Sequence, residues 1–205
     1  MTDIWYYREL DYPQMPEQLI TAALDLLPDL EVESKSYGHL SNINKLQNFN
    51  KNFQHMSLKR HMNIDGKKIL HAPNLGVDLN AETENWARAN IAEEFLHIQI
   101  SWTPKNRKMS GAHSDATRNY TMLYLLDTGG DDVITSFYQE KNQPVQRLNK
   151  TFVDDYDNLI KLAEIKVKPR TWTILNSTIL HGVENIQHPR VAIQIGFDKF
   201  NQKIN

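Results

Sequence analysis

The sequence predicts a mostly β domain, an antiparallel sandwich or barrel with helices packed on it from the amino-terminal side. Three observations lead there. Two stretches in the first half have the spacing of amphipathic helices. The second half carries a series of short stretches in which apolar and polar residues alternate. Turn chemistry separates those stretches.

The first helix opens at Pro16, a residue tolerated in an initial helical turn. Leu19, Ile20, Ala23, Leu24, Leu26 and Leu27 form its apolar stripe, and Pro28 ends it. Such a stripe is expected to pack on the outside of a sheet. Residues 38–54 are rich in Asn, Lys and Ser, with Leu40, Ile43, Leu46, Phe49 and Phe53 spaced too loosely for a regular element. They read as a polar segment able to cover an active site. A second helix is predicted over residues 81–92, with Asn80 as its N-cap and Glu82 and Glu84 in the first turn, where the helix dipole favours negative charge.

The period then changes. Leu96, Ile98, Ile100 and Trp102 alternate with His97, Gln99 and Ser101, the pattern of a half-buried strand. Further strands are predicted at 119–126, 133–138, 165–167, 171–175 and 191–197, divided by turns such as Asp127-Thr128-Gly129-Gly130 and Lys168-Pro169. There is no internal repeat and no interior boundary. The expectation is one domain over residues 1–205, with 1–95 as a helical and loop support region and 96–200 as the β core.

Composition narrows the chemistry. With no cysteine, the chain has no disulfide, thiolate metal site or cysteine nucleophile, which leaves His, Asp and Glu as metal ligands. A net charge of -2 gives no general attraction to nucleic acid. The basic runs Lys59-Arg60-His61 and Lys105-Asn106-Arg107-Lys108 read as solvated loops. No apolar run is long enough to span a bilayer, and the start MTDIWYYREL lacks a secretion-signal pattern, so no membrane association and a cytoplasmic location are expected. The sequence sets no oligomeric state.

His113-Ser114-Asp115 precedes the strand that opens at Asn119, and residues two apart in an extended chain project to one face. One imidazole and one carboxylate thus point together. His181, just after the 171–175 strand, is the candidate third ligand. Two His and one carboxylate leave open positions on a metal, which suits Fe(II) that must also take a chelating co-substrate and O₂. Arg190 follows nine residues later at the start of the 191–197 strand. A guanidinium entering the same cavity offers paired donors to a carboxylate, so triad and arginine together fit a short dicarboxylate.

His113-Ser114-Asp115, His181 and Arg190, with Gly129-Gly130 and a strand between, resemble the 2-oxoglutarate/Fe(II) oxygenase superfamily, and its prolyl-hydroxylase-like members in particular. The resemblance runs from Ile98 to Phe197. It implies a double-stranded β-helix, a cupin-like jelly roll. It implies iron on His113, Asp115 and His181, the distal carboxylate of 2-oxoglutarate on Arg190, and allows ascorbate as an accessory reductant. Arg118, Asn119 and Tyr120, with Leu123-Tyr124-Leu125-Leu126, match the strand after the metal turn in those enzymes. For a second co-substrate contact the candidates are Trp102, Gln99 and Tyr124. The implied activity is dioxygenase hydroxylation of a C–H bond in a small-molecule or peptide substrate, a peptidyl proline or amino acid first. A nucleobase or nucleic-acid oxygenase of the same fold, and a non-catalytic cupin-like binder of Zn, Mn or a small acid, stay open as alternatives.

The remaining histidines, His39, His55, His61, His71, His97 and His188, are expected to be structural. Tyr124, Trp172 and Phe197 read first as core. Asp127, Asp131 and Asp132 lack calcium-loop spacing and read as a solvated turn. Glu184 and Asn185 either orient His181 or belong to a plain hairpin.

Overall fold

A computed structural model describes residues 5–27, 60–64, 67–71, 75–103, 109–115, 118–141, 147–148, 152–153 and 156–200. The polar segment 38–54, His39, His55 and the basic run 105–108 lie outside the described residues.

Both predicted helices are present. Helix α1 (Glu17–Leu24) starts at Pro16, whose carbonyl accepts from the Leu19 and Ile20 amides. Leu19, Ile20 and Ala23, three and four residues apart, form its buried face. Helix α2 (Ala81–Asn90) begins at Asn80, whose Oδ1 accepts from the Thr83 amide at 2.9 Å.

The strands in chain order are β1 (Tyr7–Leu10), β2 (Arg60–Ile64), β3 (Lys67–His71), β4 (Leu75–Asp78), β5 (His97–Thr103), β6 (Met109–His113), β7 (Tyr120–Asp127) and β8 (Ile134–Glu140). They continue with β9 (Arg147–Leu148), β10 (Phe152–Val153), β11 (Leu159–Ile165), β12 (Trp172–Asn176), β13 (Leu180–Glu184) and β14 (Arg190–Phe197). The expected strand at 165–167 is corrected. The pairing runs over Leu159–Ile165 instead, because a bulge between Lys161 and Ala163 breaks the alternation that would have revealed it. His181 follows the expected strand, now β12, and lies within a further strand, β13, that was not expected.

Two six-stranded sheets form, in the orders β1-β12-β7-β14-β5-β4 and β11-β8-β13-β6-β10-β9, beside the small β2–β3 hairpin. Among the described residues the strands pair antiparallel throughout. The chain alternates between the sheets: β5, β7, β12 and β14 lie in the first, and β6, β8, β11 and β13 in the second. That nested alternation is the double-stranded β-helix, so the architecture is a jelly roll with helices laid on one sheet.

The first sheet is buried on both faces, and the two faces differ in kind. Ile98, Ile100, Trp102, Met122, Tyr124, Trp172, Ile174, Ile193 and Ile195 join Leu19, Ile20, Ala23 and Ala87 of the helices in one apolar cluster. The opposite face turns toward the second sheet, where Leu123, Leu125, Leu175 and Ala192 meet Phe137 and Ile165. Gln99, Ser101 and Thr103 are the intervening residues of β5 and are buried, at 6%, 7% and 6% exposure. Their alternation with apolar neighbours therefore marks a polar wall inside the jelly roll, not a solvent face.

Candidate metal centre

Strand pairing builds the site. β13 lies between β6 and β8, and its register sets His181 directly opposite His113 across the ladder. The two rings are 4.5 Å apart between centroids. Facing residues on adjacent antiparallel strands share a side of the sheet, so this pairing alone brings the imidazoles together. Phe137, opposite His181 on the other flank, has its ring centroid 6.3 Å from it and closes the inner side.

Asp115 follows two residues after the end of β6. Its amide donates to the Ser177 carbonyl at 2.9 Å, tying the turn to the β12–β13 connection. Ligand atoms of His113, Asp115 and His181 all lie within 4.8 Å of one another, close enough to hold one metal ion. His181 Nδ1 is 2.9 Å from the Ile179 carbonyl, which can only accept. The proton is therefore on Nδ1, and Nε2 is left with a lone pair able to ligate a metal.

The carboxylate is asymmetric. Oδ2 accepts from Arg118 Nε at 2.6 Å and from Thr121 Oγ1 at 3.1 Å, while Oδ1 lies 3.6 Å from His113 Nε2. Ser177 Oγ donates to Thr121 Oγ1 at 2.7 Å. Burial pushes the Asp115 carboxyl up, but the Arg118 guanidinium and the imidazoles of His181 and His113 outweigh it and hold the group well below the ordinary carboxylate range. Asp115 is thus a permanent anion, as a ligand to a divalent cation should be.

Arg190 opens β14 in the first sheet, in register with Thr103. By strand alternation it shares the inward face with Ala192, which packs in the cluster that contains Phe137. Arg190 is only 6% exposed, and its Nε has no hydrogen-bond partner. Burial pushes the guanidinium down to about 10, with no charged group among the described residues acting on it. It stays protonated at neutral pH with no carboxylate beside it among the described residues.

The other predicted site residues divide. Gln99 faces inward and donates from Nε2 to Gln194 Oε1 at 3.3 Å. Trp102 and Tyr124 lie on the opposite, helix-facing side of their sheet and are not brought to the triad. Tyr124 donates its hydroxyl to Gln14 Oε1 at 2.6 Å and its ring sits 4.7 Å from Trp172, so it serves the core. Glu184 accepts from Tyr138 and pairs with Lys161, and the Asn185 side chain donates to the Asp132 carbonyl. Neither orients His181, which is held by its own Ile179 carbonyl. The structural reading of His97 is incomplete, because its Nε2 lies 2.9 Å from Arg118 Nη1. Thr121 and Ser177, which support the Asp115 carboxylate, carried no signal in the sequence beyond their place beside strand ends.

No family model matches the sequence, and no curated protein sequence matches it. Among solved structures, the chain is similar to a 2OG-Fe(II) oxygenase family oxidoreductase from Burkholderia pseudomallei. That match has 13% identity and a TM-score of 0.39, over 80% of this chain and 82% of the other. AviO1 from Streptomyces viridochromogenes matches at 11% identity and a TM-score of 0.44, over 93% and 89% of the two chains. The E. coli protein ycfD matches at 14% identity and a TM-score of 0.41, over 65% of this chain, and this chain spans only 35% of that longer protein.

Proposed function

We propose that this protein is an Fe(II)- and 2-oxoglutarate-dependent dioxygenase that hydroxylates a C–H bond of an organic substrate, with His113, Asp115 and His181 as metal ligands and Arg190 as the seat of the co-substrate's distal carboxylate. The observation that carries the reading is the buried Arg190, charged and with an unpartnered Nε, on the same inter-sheet side as a His-Asp-His cluster. A buried guanidinium without a counter-ion is costly, and an anionic ligand supplies the missing partner. Nitrogen and oxygen donors of this kind suit Fe(II) and leave positions for further ligands.

When bound, iron with the keto acid and O₂ supplies the oxidising chemistry that converts C–H to C–OH as the keto acid loses CO₂ and becomes succinate. The chain's own work is placement. His113 and His181 present lone pairs from a cross-strand pair whose geometry the sheet sets. Asp115 stays ionised and supplies Oδ1. Arg190 orients a diacid by one end, leaving the other for the metal. Phe137 and the apolar residues around it keep bulk water from the reacting groups.

Arg118 and Gly129-Gly130, the features behind the peptidyl-proline expectation, have neighbours inside the protein: Arg118 binds Asp115, and Gly129 packs on Arg190. A proline-containing peptide or a free amino acid remains the first substrate class to assay. The test is succinate release from 2-oxoglutarate by the iron-loaded protein, across peptides, amino acids and oligonucleotides. Wild type is expected to release succinate in an iron-dependent way, and His181→Ala to release none. Equal turnover in that variant would reject the assignment.

A further inference from the structure

The Asp115 carboxylate has one oxygen tied and one turned toward its fellow ligand. Arg118 Nε and Thr121 Oγ1 both donate to Oδ2, while Oδ1 faces His113. Arg118 extends beyond Asp115: its Nη1 is 2.9 Å from His97 Nε2. A guanidinium only donates, so His97 Nε2 is the acceptor and that nitrogen carries no proton. The ring has a prepared place. Gly196 is the cross-strand partner of His97, and a Cβ built on it would stand 2.4 Å from His97 Cε1. Any side chain at residue 196 would push the imidazole away.

We propose that His97, seated on Gly196, is a positioning residue that holds Arg118 against Oδ2 and so fixes Asp115 as a one-oxygen metal ligand through Oδ1, a conclusion that holds only if the triad is a metal site. The distinction has a chemical consequence. A six-coordinate metal bound by two imidazoles and one carboxylate oxygen keeps three positions, enough for a two-point organic ligand and O₂. A carboxylate chelating through both oxygens would leave two, and those two functions could not be met together. A free carboxylate rotates between the modes, whereas one whose Oδ2 is held by both Arg118 Nε and Thr121 Oγ1 does not. Arg118 is a long side chain, and anchoring its Nη1 on His97 is what keeps Nε aimed at Oδ2.

The experiment is Co(II) titration of the metal-free full chain, read by visible absorption. His97→Phe fills the slot over Gly196 but removes the acceptor. It is expected to weaken Co(II) binding about 10–100-fold and to alter the ligand-field bands, with a thermal midpoint close to wild type. His97→Gln, which restores an acceptor oxygen, should recover affinity and spectrum. Gly196→Ala, which leaves His97 in the chain but displaces its ring, should reproduce the His97→Phe defect and keeps the test alive if that variant fails to fold. Wild-type affinity and bands in either His97→Phe or Gly196→Ala would overturn the inference, as would a defect that His97→Gln does not repair. Absence of Co(II) binding in wild type, or undiminished binding in His181→Ala, would instead reject the metal site itself, and the positioning role with it.

Discussion

Arg190 concentrates the tension between stability and function at the residue scale. Its guanidinium is buried, charged and carries an unpartnered Nε, an arrangement that folding alone does not favour. Replacing a buried charge by an apolar side chain of similar length commonly stabilises a protein. Arg190→Met is therefore expected to raise the thermal midpoint of the ligand-free protein by about 2–4 °C for each kcal/mol of relieved desolvation. The same change should cost about 2–5 kcal/mol of 2-oxoglutarate affinity, since a desolvated carboxylate loses its charged partner. Metal binding should be untouched. Calorimetry with Co(II) and then 2-oxoglutarate, beside a melting curve, reads all three quantities; unchanged co-substrate affinity would sink the clamp. The pairing of His113 with Asp115 was legible at this scale because their spacing is local, and the structure brings His181 to them. Trp102 and Tyr124 were misleading for a physical reason. Each sits one residue out of phase with the inward positions of its strand, and a single step along a strand changes the face.

At the scale of the element, turns and strand phases do the positioning. Gly129 has φ of +83°, and a Cβ there would lie 2.9 Å from Arg190 Cβ and 3.2 Å from the His188 carbonyl. The Gly129 carbonyl in turn accepts from the Gln187 and His188 amides, so this turn grips the segment leading into β14. Gly129→Ala combines a disfavoured backbone with displaced Arg190, and is expected to cost about 1–3 kcal/mol of stability. It should also weaken 2-oxoglutarate more than metal. Equal loss of both, or of neither, in paired titrations would show that the turn does not govern Arg190. Helices α1 and α2 and strands β5, β7, β8, β12 and β14 were readable from period and caps. β13 was not, since Leu180-His181-Gly182-Val183-Glu184 offers too few apolar residues to show alternation. β6, with Met109-Ser110-Gly111-Ala112-His113, has the same poverty of signal, yet these two strands carry both histidines of the cluster that could hold a metal. Residues chosen for a site displace the residues that announce a strand.

For the whole molecule, the fold class was legible and the pairing scheme was not, because the contacts that decide it are remote. Gln99 meets Gln194, 95 positions away, and no local pattern specifies that neighbour. The jelly roll closes through such pairings, and one outer cluster offers a way to weigh them. Glu184 of β13 accepts from Tyr138 of β8 and pairs at 3.0 Å with Lys161 of β11, so a single carboxylate links three adjacent strands of the second sheet. Burial pushes the Glu184 carboxyl up, but the Ser136 hydroxyl, the Tyr138 hydroxyl and Lys161 together more than offset it and hold the group below its ordinary value. A carboxyl depressed on folding binds its proton more readily in the unfolded chain. Its stabilisation is then complete above the unfolded value, near the ordinary glutamate range, and drains away as pH falls through the lower folded value. Glu184→Gln is expected to be less stable than wild type at neutral pH and to converge with it in acid, because glutamine keeps an acceptor for Tyr138 but loses the charge that Lys161 meets. Urea midpoints measured from pH 7 down into the acid range give the comparison directly. Two curves that stay parallel as the pH falls would mean that this carboxylate does not help to clasp the strands on which His181 depends.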